Sequence, residues 1–249
     1  MRSTTIGSLL VWVALAAPVA GQTPPAASAT VRTVIASTKL LTVGDTPVYF
    51  KAARVTIPSG ASSKISSING IIYQLSGSTE VSLGLDIKIL NPGEGLFIAS
   101  GNAATLKAGD SGPSTLLHFL LATTADLDKP LEAPPAVVQE LYRTVAPLPA
   151  LKPGSYDLNL TRVTFPAEMP SNSPHHRSGA ALYYILSGTG ANTVEGKVEA
   201  RTSGSLIYEP SNLVHQWGNP GNVPLTFLAF NINPDGVAAV LPAVPAKRE

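Results

Sequence analysis

Three of the four histidines in this sequence, His175, His176 and His215, lie in one part of its C-terminal half. Neutral imidazole is a common ligand of transition metals in proteins. The chain has no cysteine, which excludes thiolate metal sites, disulfides and cysteine nucleophiles together. We therefore predict a divalent metal held by His175, His176 and His215, and the ligand type alone does not choose among iron, manganese, nickel, copper and zinc.

Short β-rich segments must position these histidines. Residues 180–186 form an apolar run that stops at a Ser-Gly turn, and residues 204–210 form a second run that ends at a proline. In a strand, alternate residues share a face, so His215 and Trp217 are expected to point the same way. In the first run the same rule places Tyr183 and Ile185 on one face.

These shared faces predict a pocket for a small molecule. Arg177, Ile185 and Trp217 are the expected lining residues, with Arg177 at the mouth of the pocket. Tyr183 is the expected catalytic residue, because its hydroxyl is available as a proton donor. An aromatic wall with a few polar groups is typical of a small-molecule site, although it is equally typical of an ordinary barrel core.

An internal repeat organises the chain. Residues 54–58 (RVTIP) match residues 162–166 (RVTFP), and residues 73–77 (YQLSG) match residues 184–188 (YILSG). The two copies differ where chemistry would occur, because residues 59–70 contain neither histidine nor carboxylate. The remaining histidine, His118, lies in an apolar run. We interpret the first copy as structural, or as a metal-free binding pocket.

The order of residues in the second copy resembles the two cupin motifs, G-x5-H-x-H-x(3,4)-E-x6-G and G-x5-P-x-G-x2-H-x3-N. The second motif is matched at the family spacing by Gly204, Pro210, His215 and Asn219, with Asn212 in a glycine position. The first motif is degraded, because Ala181 stands in the glutamate position. Glu168 and Glu209 are the nearest spare carboxylates, and their spacing places neither at a metal.

The resemblance is to bicupins with a degenerate N-terminal copy. It implies an all-β fold class, with two tandem double-stranded β-helix (jelly-roll) barrels joined by a short helical linker. It also implies pairing into a homodimer. Without the glutamate, a three-histidine site leaves the metal its full double charge, which favours an anionic ligand.

The expected divisions of the chain follow the repeat and the composition. They are a signal peptide at 1–21, a disordered spacer at 22–30, the degenerate N-terminal barrel at 31–125, a linker at 126–153, the metal-capable C-terminal barrel at 154–234 and a tail at 235–249. The positive n-region, apolar core and small-residue cleavage site of 1–21 predict a periplasmic or secreted protein with no stable membrane insertion after cleavage.

Two functions remain open on the sequence. One is a metal-dependent cupin oxygenase, lyase or isomerase acting on a small organic molecule, an anion among the candidates. The other is a non-catalytic small-molecule-binding or envelope protein with a decayed metal site. Nucleic acid is excluded as an expected partner, because the formal net charge is only +1 and no basic run accompanies it.

Overall fold

The computed structural model describes residues 29–43, 46–65, 68–149 and 151–243. The expected signal peptide lies outside the described residues. Within those ranges, no helix has the length and apolar character needed to cross a membrane.

Strands account for most of the N-terminal half, where short β-rich runs are separated by Gly, Asn, Asp and Pro. In chain order they are β1 (Val31–Val43), β2 (Val48–Ile57), β3 (Ser62–Ile65), β4 (Gly70–Ser76), β5 (Thr79–Leu83), β6 (Asp86–Leu90), β7 (Gly95–Ile98), β8 (Ala104–Ala108), β9 (Ser114–Thr123) and β10 (Val137–Arg143). A single turn of 3-10 helix, Thr124–Asp126, follows β9.

The C-terminal half repeats this pattern. Its strands are β11 (Gly154–Phe165), β12 (His175–Arg177), β13 (Ala180–Ser187), β14 (Thr189–Val194), β15 (Lys197–Thr202), β16 (Leu206–Glu209), β17 (His215–Gly218), β18 (Leu225–Pro234) and β19 (Val240–Pro242).

Four sheets make two barrels. The N-terminal barrel consists of the sheets β10-β2-β9-β4-β7 and β3-β8-β5-β6, and the C-terminal barrel consists of the sheets β1-β11-β18-β13-β16 and β15-β14-β17-β12-β19. The predicted all-β architecture of two tandem barrels is confirmed. The sheet that contains β10 has one face toward the interior of the N-terminal barrel and the other face toward the C-terminal barrel. The sheet that contains β1 has one face toward the interior of the C-terminal barrel and the other face toward the N-terminal barrel.

The edge strands β1 and β10 differ from the expected division of the chain. β1 pairs with β11 in the C-terminal barrel, with Thr33 opposite Arg162, although it lies in the segment expected to belong to the N-terminal barrel. β10 pairs with β2, with Gln139 opposite Arg54. The prediction of a helical linker is therefore wrong, because residues 137–143 form the edge strand of a sheet. The sequence of these residues is compatible with a helix or a strand, and they form a strand because they hydrogen-bond to β2.

The largest apolar core lies between the two barrels. It contains Leu182 and Tyr184, which alternate along β13 with the inward-facing Tyr183 and Ile185. Phe230 packs against Phe50 and Phe119, with ring centroids 5.1 and 5.7 Å apart. Because both barrels contribute to one continuous core, they stabilise each other.

The interior of the N-terminal barrel is filled by its own chain. Leu131 packs in a buried apolar cluster with Ile68 and Leu120. His118 is fully buried, and its Nδ1 atom lies 2.7 Å from Oε1 of Glu132. This histidine is therefore a core residue with one partner, and the segment that carries Leu131 and Glu132 occupies the space that a ligand would need.

Phe230→Ala is expected to destabilise both barrels together. Truncating a fully buried phenylalanine costs about 3–5 kcal/mol, because a cavity replaces its packing contacts. Chemical denaturation followed by tryptophan fluorescence measures the change in the free energy of unfolding. Val198→Ala on the exposed strand β15 is the control and should change it by less than about 0.5 kcal/mol. A loss below about 1 kcal/mol for Phe230→Ala would contradict a shared core.

Candidate ligand site in the C-terminal barrel

Two short strands bring His175 and His215 together. The residues are directly opposite each other in the β12–β17 pair, and their ring centroids are 4.3 Å apart. Nδ1 of His175 donates to the carbonyl of Ser173 at 2.9 Å, and Nδ1 of His215 donates to the carbonyl of Leu213 at 2.8 Å. Each of these hydrogen bonds fixes the orientation of the imidazole ring and leaves its Nε2 atom available to a group in the barrel interior.

His176 lies apart from this pair. It is the middle residue of β12 and pairs with Leu241 of β19. Alternation along the strand directs His175 and Arg177 into the cavity and His176 to the opposite face. Nδ1 of His176 donates to the Arg177 carbonyl at 3.2 Å. The three predicted metal ligands therefore do not converge, since only two of them share the interior.

Glu209 makes the most contacts within the site, although its position along the chain did not predict a role there. It ends β16 and lies directly opposite Ala181 of β13. Ala181 is the position where the cupin motif has its glutamate, and its methyl group leaves the interior volume open. The Glu209 carboxylate enters that volume from the neighbouring strand and is only 1% exposed. Glu168, the other spare carboxylate, is exposed.

Three side chains surround the Glu209 carboxylate. Nε1 of Trp217 donates to Oε1 at 2.7 Å, and Nε of Arg177 donates to Oε2 at 3.2 Å. Nε2 of His215 lies 3.0 Å from the same Oε2 atom. This last contact is not aligned as a hydrogen bond, and among the described residues His215 Nε2 has no other partner.

Burial and charge act against each other at this cluster. Burial would raise the pKa of the Glu209 carboxyl, but the contacts with His215, Arg177 and Trp217 outweigh it and hold the pKa below its ordinary value. Burial lowers the pKa of the Arg177 guanidinium, and Glu209 opposes that change. Burial also lowers the pKa of the His175 imidazole. Glu209 is therefore an anion paired with a buried cation.

Arg177 and Trp217 of this cluster line a cavity of about 1020 Å³ in the C-terminal barrel, whereas Glu209 and His215 lie behind them. Arg177 and Trp217, two of the expected lining residues, line the cavity together with Tyr183, the expected catalytic residue. The Arg177 guanidinium carbon lies 5.1 Å from the centre of the Tyr183 ring, a cation–π contact. Ile185 is instead buried among apolar side chains of the barrel core and does not line the cavity.

The turn before His215 explains one departure from the motif. Asn212 has a φ angle of +64°, a left-handed conformation that favours glycine. Asparagine tolerates this region better than other residues with a side chain, so it can replace the motif glycine without moving β17.

The donor set does not make a complete metal site as it is arranged. No group of three or more His, Asp or Glu side chains in the described part of the chain is placed to hold a metal ion. Nε2 of His215 and Oε2 of Glu209 lie 3.0 Å apart, and the same oxygen already accepts from Arg177, whose charge repels a divalent ion.

Comparisons with known proteins agree with this architecture. Residues 161–231 match the family model described as "Cupin domain". This match covers most of the C-terminal barrel and less than a third of the chain. A search of curated protein sequences finds no match.

Solved structures with the same fold include AerE from Microcystis aeruginosa, which is 18% identical to this chain with a TM-score of 0.53; the alignment covers 77% of this chain and 90% of AerE. Oxalate decarboxylase from Bacillus subtilis, studied for its Mn(II) centres, is 15% identical with a TM-score of 0.52; the alignment covers 88% of this chain and 81% of the decarboxylase chain. At these identities the likeness shows the fold alone.

Glu209→Gln is expected to destabilise the protein at neutral pH by about 3 kcal/mol, because it leaves the Arg177 charge buried without its partner. The pKa of Glu209 is lowered in the folded state, so its stabilisation is present above its ordinary value of 4.5 and is lost as pH falls through the folded value. Melting temperatures of wild type and variant should therefore differ clearly at neutral pH and converge in acid.

Glu199→Gln is the matched control for this experiment, because Glu199 is exposed and pairs with Arg201 at the surface. It should change the free energy of unfolding by less than about 1 kcal/mol. A Glu209→Gln variant as stable as this control at neutral pH would contradict a buried ion pair.

Proposed function

We propose that this protein binds a small organic anion in the cavity of its C-terminal barrel. The observation that carries the proposal is a pair of guanidinium groups on one part of the cavity wall, whereas Asp157, a carboxylate on the same wall, lies opposite Lys39 in the sheet. Arg32 of β1 and Arg177 both line the cavity. Burial lowers the pKa of Arg177, and the nearby positive charge of Arg32 lowers it further. Glu209 compensates only one of the two guanidinium groups.

Arg32 has no carboxylate partner among the residues that the structure describes, whereas Lys39, the other cation on the cavity wall, is paired with Asp235 at 2.8 Å. Nε is the one guanidinium nitrogen of Arg177 with a hydrogen-bond partner in those same ranges, which leaves its terminal nitrogens for a ligand. Guanidinium groups bind carboxylates through two parallel hydrogen bonds. Arg32 and Arg177 thus form a receptor for an anionic group.

The rest of the cavity suits an organic molecule. Phe165, Phe227 and Trp217 give its inner end an aromatic surface. The planes of the Trp217 and Phe227 rings are 21° apart, with centroids separated by 5.7 Å. A volume of about 1020 Å³ is at the upper end of the range for small-molecule pockets. The ligand therefore combines a charged group at the arginines with a body that packs against aromatic rings.

Binding should depend on the charge of the ligand. Hexanoate and gluconate can each be compared with the corresponding neutral amide by isothermal titration calorimetry. We expect at least one of the acids to bind, and to bind about 10-fold more tightly than its amide, because a charge-assisted hydrogen bond contributes about 1.5–3 kcal/mol.

Arg32→Gln should reduce that preference without unfolding the protein, because Arg32 is exposed. Arg201→Gln changes the same charge outside the cavity and should leave the affinity as in wild type. The proposal fails if neither acid binds, or if each acid binds no better than its amide.

A metal-dependent activity is the second candidate function. The close approach of His215 Nε2 to Glu209 Oε2, with His175 beside them, is the observation that favours it. Those three residues would hold the metal, and Glu209 would first have to leave Arg177. A metal bound there would supply a Lewis acid inside the barrel.

Elemental analysis decides between a metal-free and a metal-containing cupin. Protein purified without a histidine tag should contain far less than one equivalent of iron, manganese, nickel, copper or zinc, because Arg177 repels a divalent ion at Glu209. About one equivalent of metal, lost in a His175→Ala/His215→Ala variant, would instead support the metal-dependent function.

The chain is also proposed to act in the periplasm or outside the cell, on the basis of the residues at 1–21 alone. Expression of the full chain in a bacterium, followed by cell fractionation and N-terminal sequencing, tests this: export with cleavage near Gly21 is expected, and an intact cytoplasmic chain would contradict it.

A further inference from the structure

One row of residues crosses the whole inner sheet of the C-terminal barrel. Ser37 of β1 is opposite Asn159 of β11, which is opposite Asn231 of β18. Asn231 is opposite Ala181 of β13, which is opposite Glu209 of β16. Directly opposed residues in antiparallel strands point to the same side of a sheet, so the row faces the cavity. Every member except Ala181 carries a polar group.

Asn231 is the unusual member of this row. It lines the cavity and is only 4% exposed. Its Nδ2 atom donates to Oδ1 of Asn159 and to the carbonyl of Ala229, both at 2.9 Å. These two donations fix the orientation of the amide, since a reversed amide would place its oxygen against two acceptors. Oδ1 of Asn231 then has no hydrogen-bond partner within the described ranges.

A buried acceptor without a partner costs about 1–3 kcal/mol, so a donor from outside the chain is expected to meet it. Ala181 lies between Asn231 and Glu209 in this row and offers only a methyl group, so it supplies no donor to the Asn231 oxygen. Neighbouring strands are about 4.8 Å apart, so the strands of Asn231 and Glu209 are separated by roughly 10 Å. A six-carbon molecule can span that distance.

We propose that the ligand is a hydroxylated carboxylic acid, with its carboxylate at Arg177 and Arg32 and a hydroxyl that donates to Oδ1 of Asn231. The inference rests on the proposed function, because it adds a second recognition group to the same anion. An ordered water is the competing donor, since buried waters commonly satisfy such atoms.

Gluconate and hexanoate separate the ligand hydroxyl from a bound water. They share a carboxylate and a six-carbon chain, and they differ in the hydroxyl groups. Calorimetric titration of the full chain should give a dissociation constant at least about 10-fold lower for gluconate, because hexanoate leaves the Asn231 acceptor unmet.

Asn231→Ala should remove this preference and bring the two dissociation constants within about 3-fold of each other. Asn233→Ala is the matched control. Asn233 lies two residues further along β18, is 3% exposed and also has an unpartnered Oδ1, but it does not line the cavity. The control should lose similar stability and keep the gluconate preference of the wild type. If Asn231→Ala does not fold, the comparison of the two acids in wild type still decides the question.

The outcomes also separate this inference from the proposed function. If hexanoate binds as tightly as gluconate, the hydroxyl contact is wrong and anion binding stands. If Asn231→Ala keeps the wild-type preference, the contact is assigned to the wrong residue and the inference fails. If neither acid binds, the proposed function fails, and the inference fails with it.

Discussion

The ion pair between Arg177 and Glu209 is the interaction on which the C-terminal barrel depends. Both side chains are removed from water, with exposures of 8% and 1%, so neither charge is tolerable without the other. The pair ties β12 to β16, which lie in different sheets of the barrel. It also holds Trp217 and His215 against the carboxylate. The shape of the cavity and its charge therefore come from the same few contacts.

The two barrels share an architecture and differ in what fills them. In the N-terminal barrel, Leu131 and Glu132 occupy the interior, and Glu132 meets the buried His118. In the C-terminal barrel the interior stays open, and β1 supplies Arg32 to its wall from the other half of the chain. The strand that crosses between halves thus stabilises the pair of barrels and also brings a charge to the ligand site. Through the common core, the N-terminal barrel stabilises the C-terminal barrel that carries the ligand site.

The repeat and the alternation of apolar residues were enough to predict the fold, because tandem barrels need only the strand pattern and its spacing. They predicted the inward position of Tyr183 and Trp217 for the same reason. The helical linker expected within residues 126–153 was wrong, because local sequence does not record that β2 has a free edge. Glu209 was missed because its approach to the site depends on pairing with Ala181 across two strands, and no spacing rule along the chain reports that register. The assignment of His175, His176 and His215 as metal ligands stays a prediction, with His176 on the opposite face of β12.

The central claim is that a guanidinium group, and not a metal ion, balances the buried carboxylate. A crystal structure of the full chain, grown with Mn²⁺ and measured with anomalous scattering, tests it most directly. We predict the Arg177 guanidinium within hydrogen-bond distance of Glu209 and no anomalous peak near His175 and His215. An anomalous peak bonded to His215 and Glu209, with Arg177 displaced, would contradict the account.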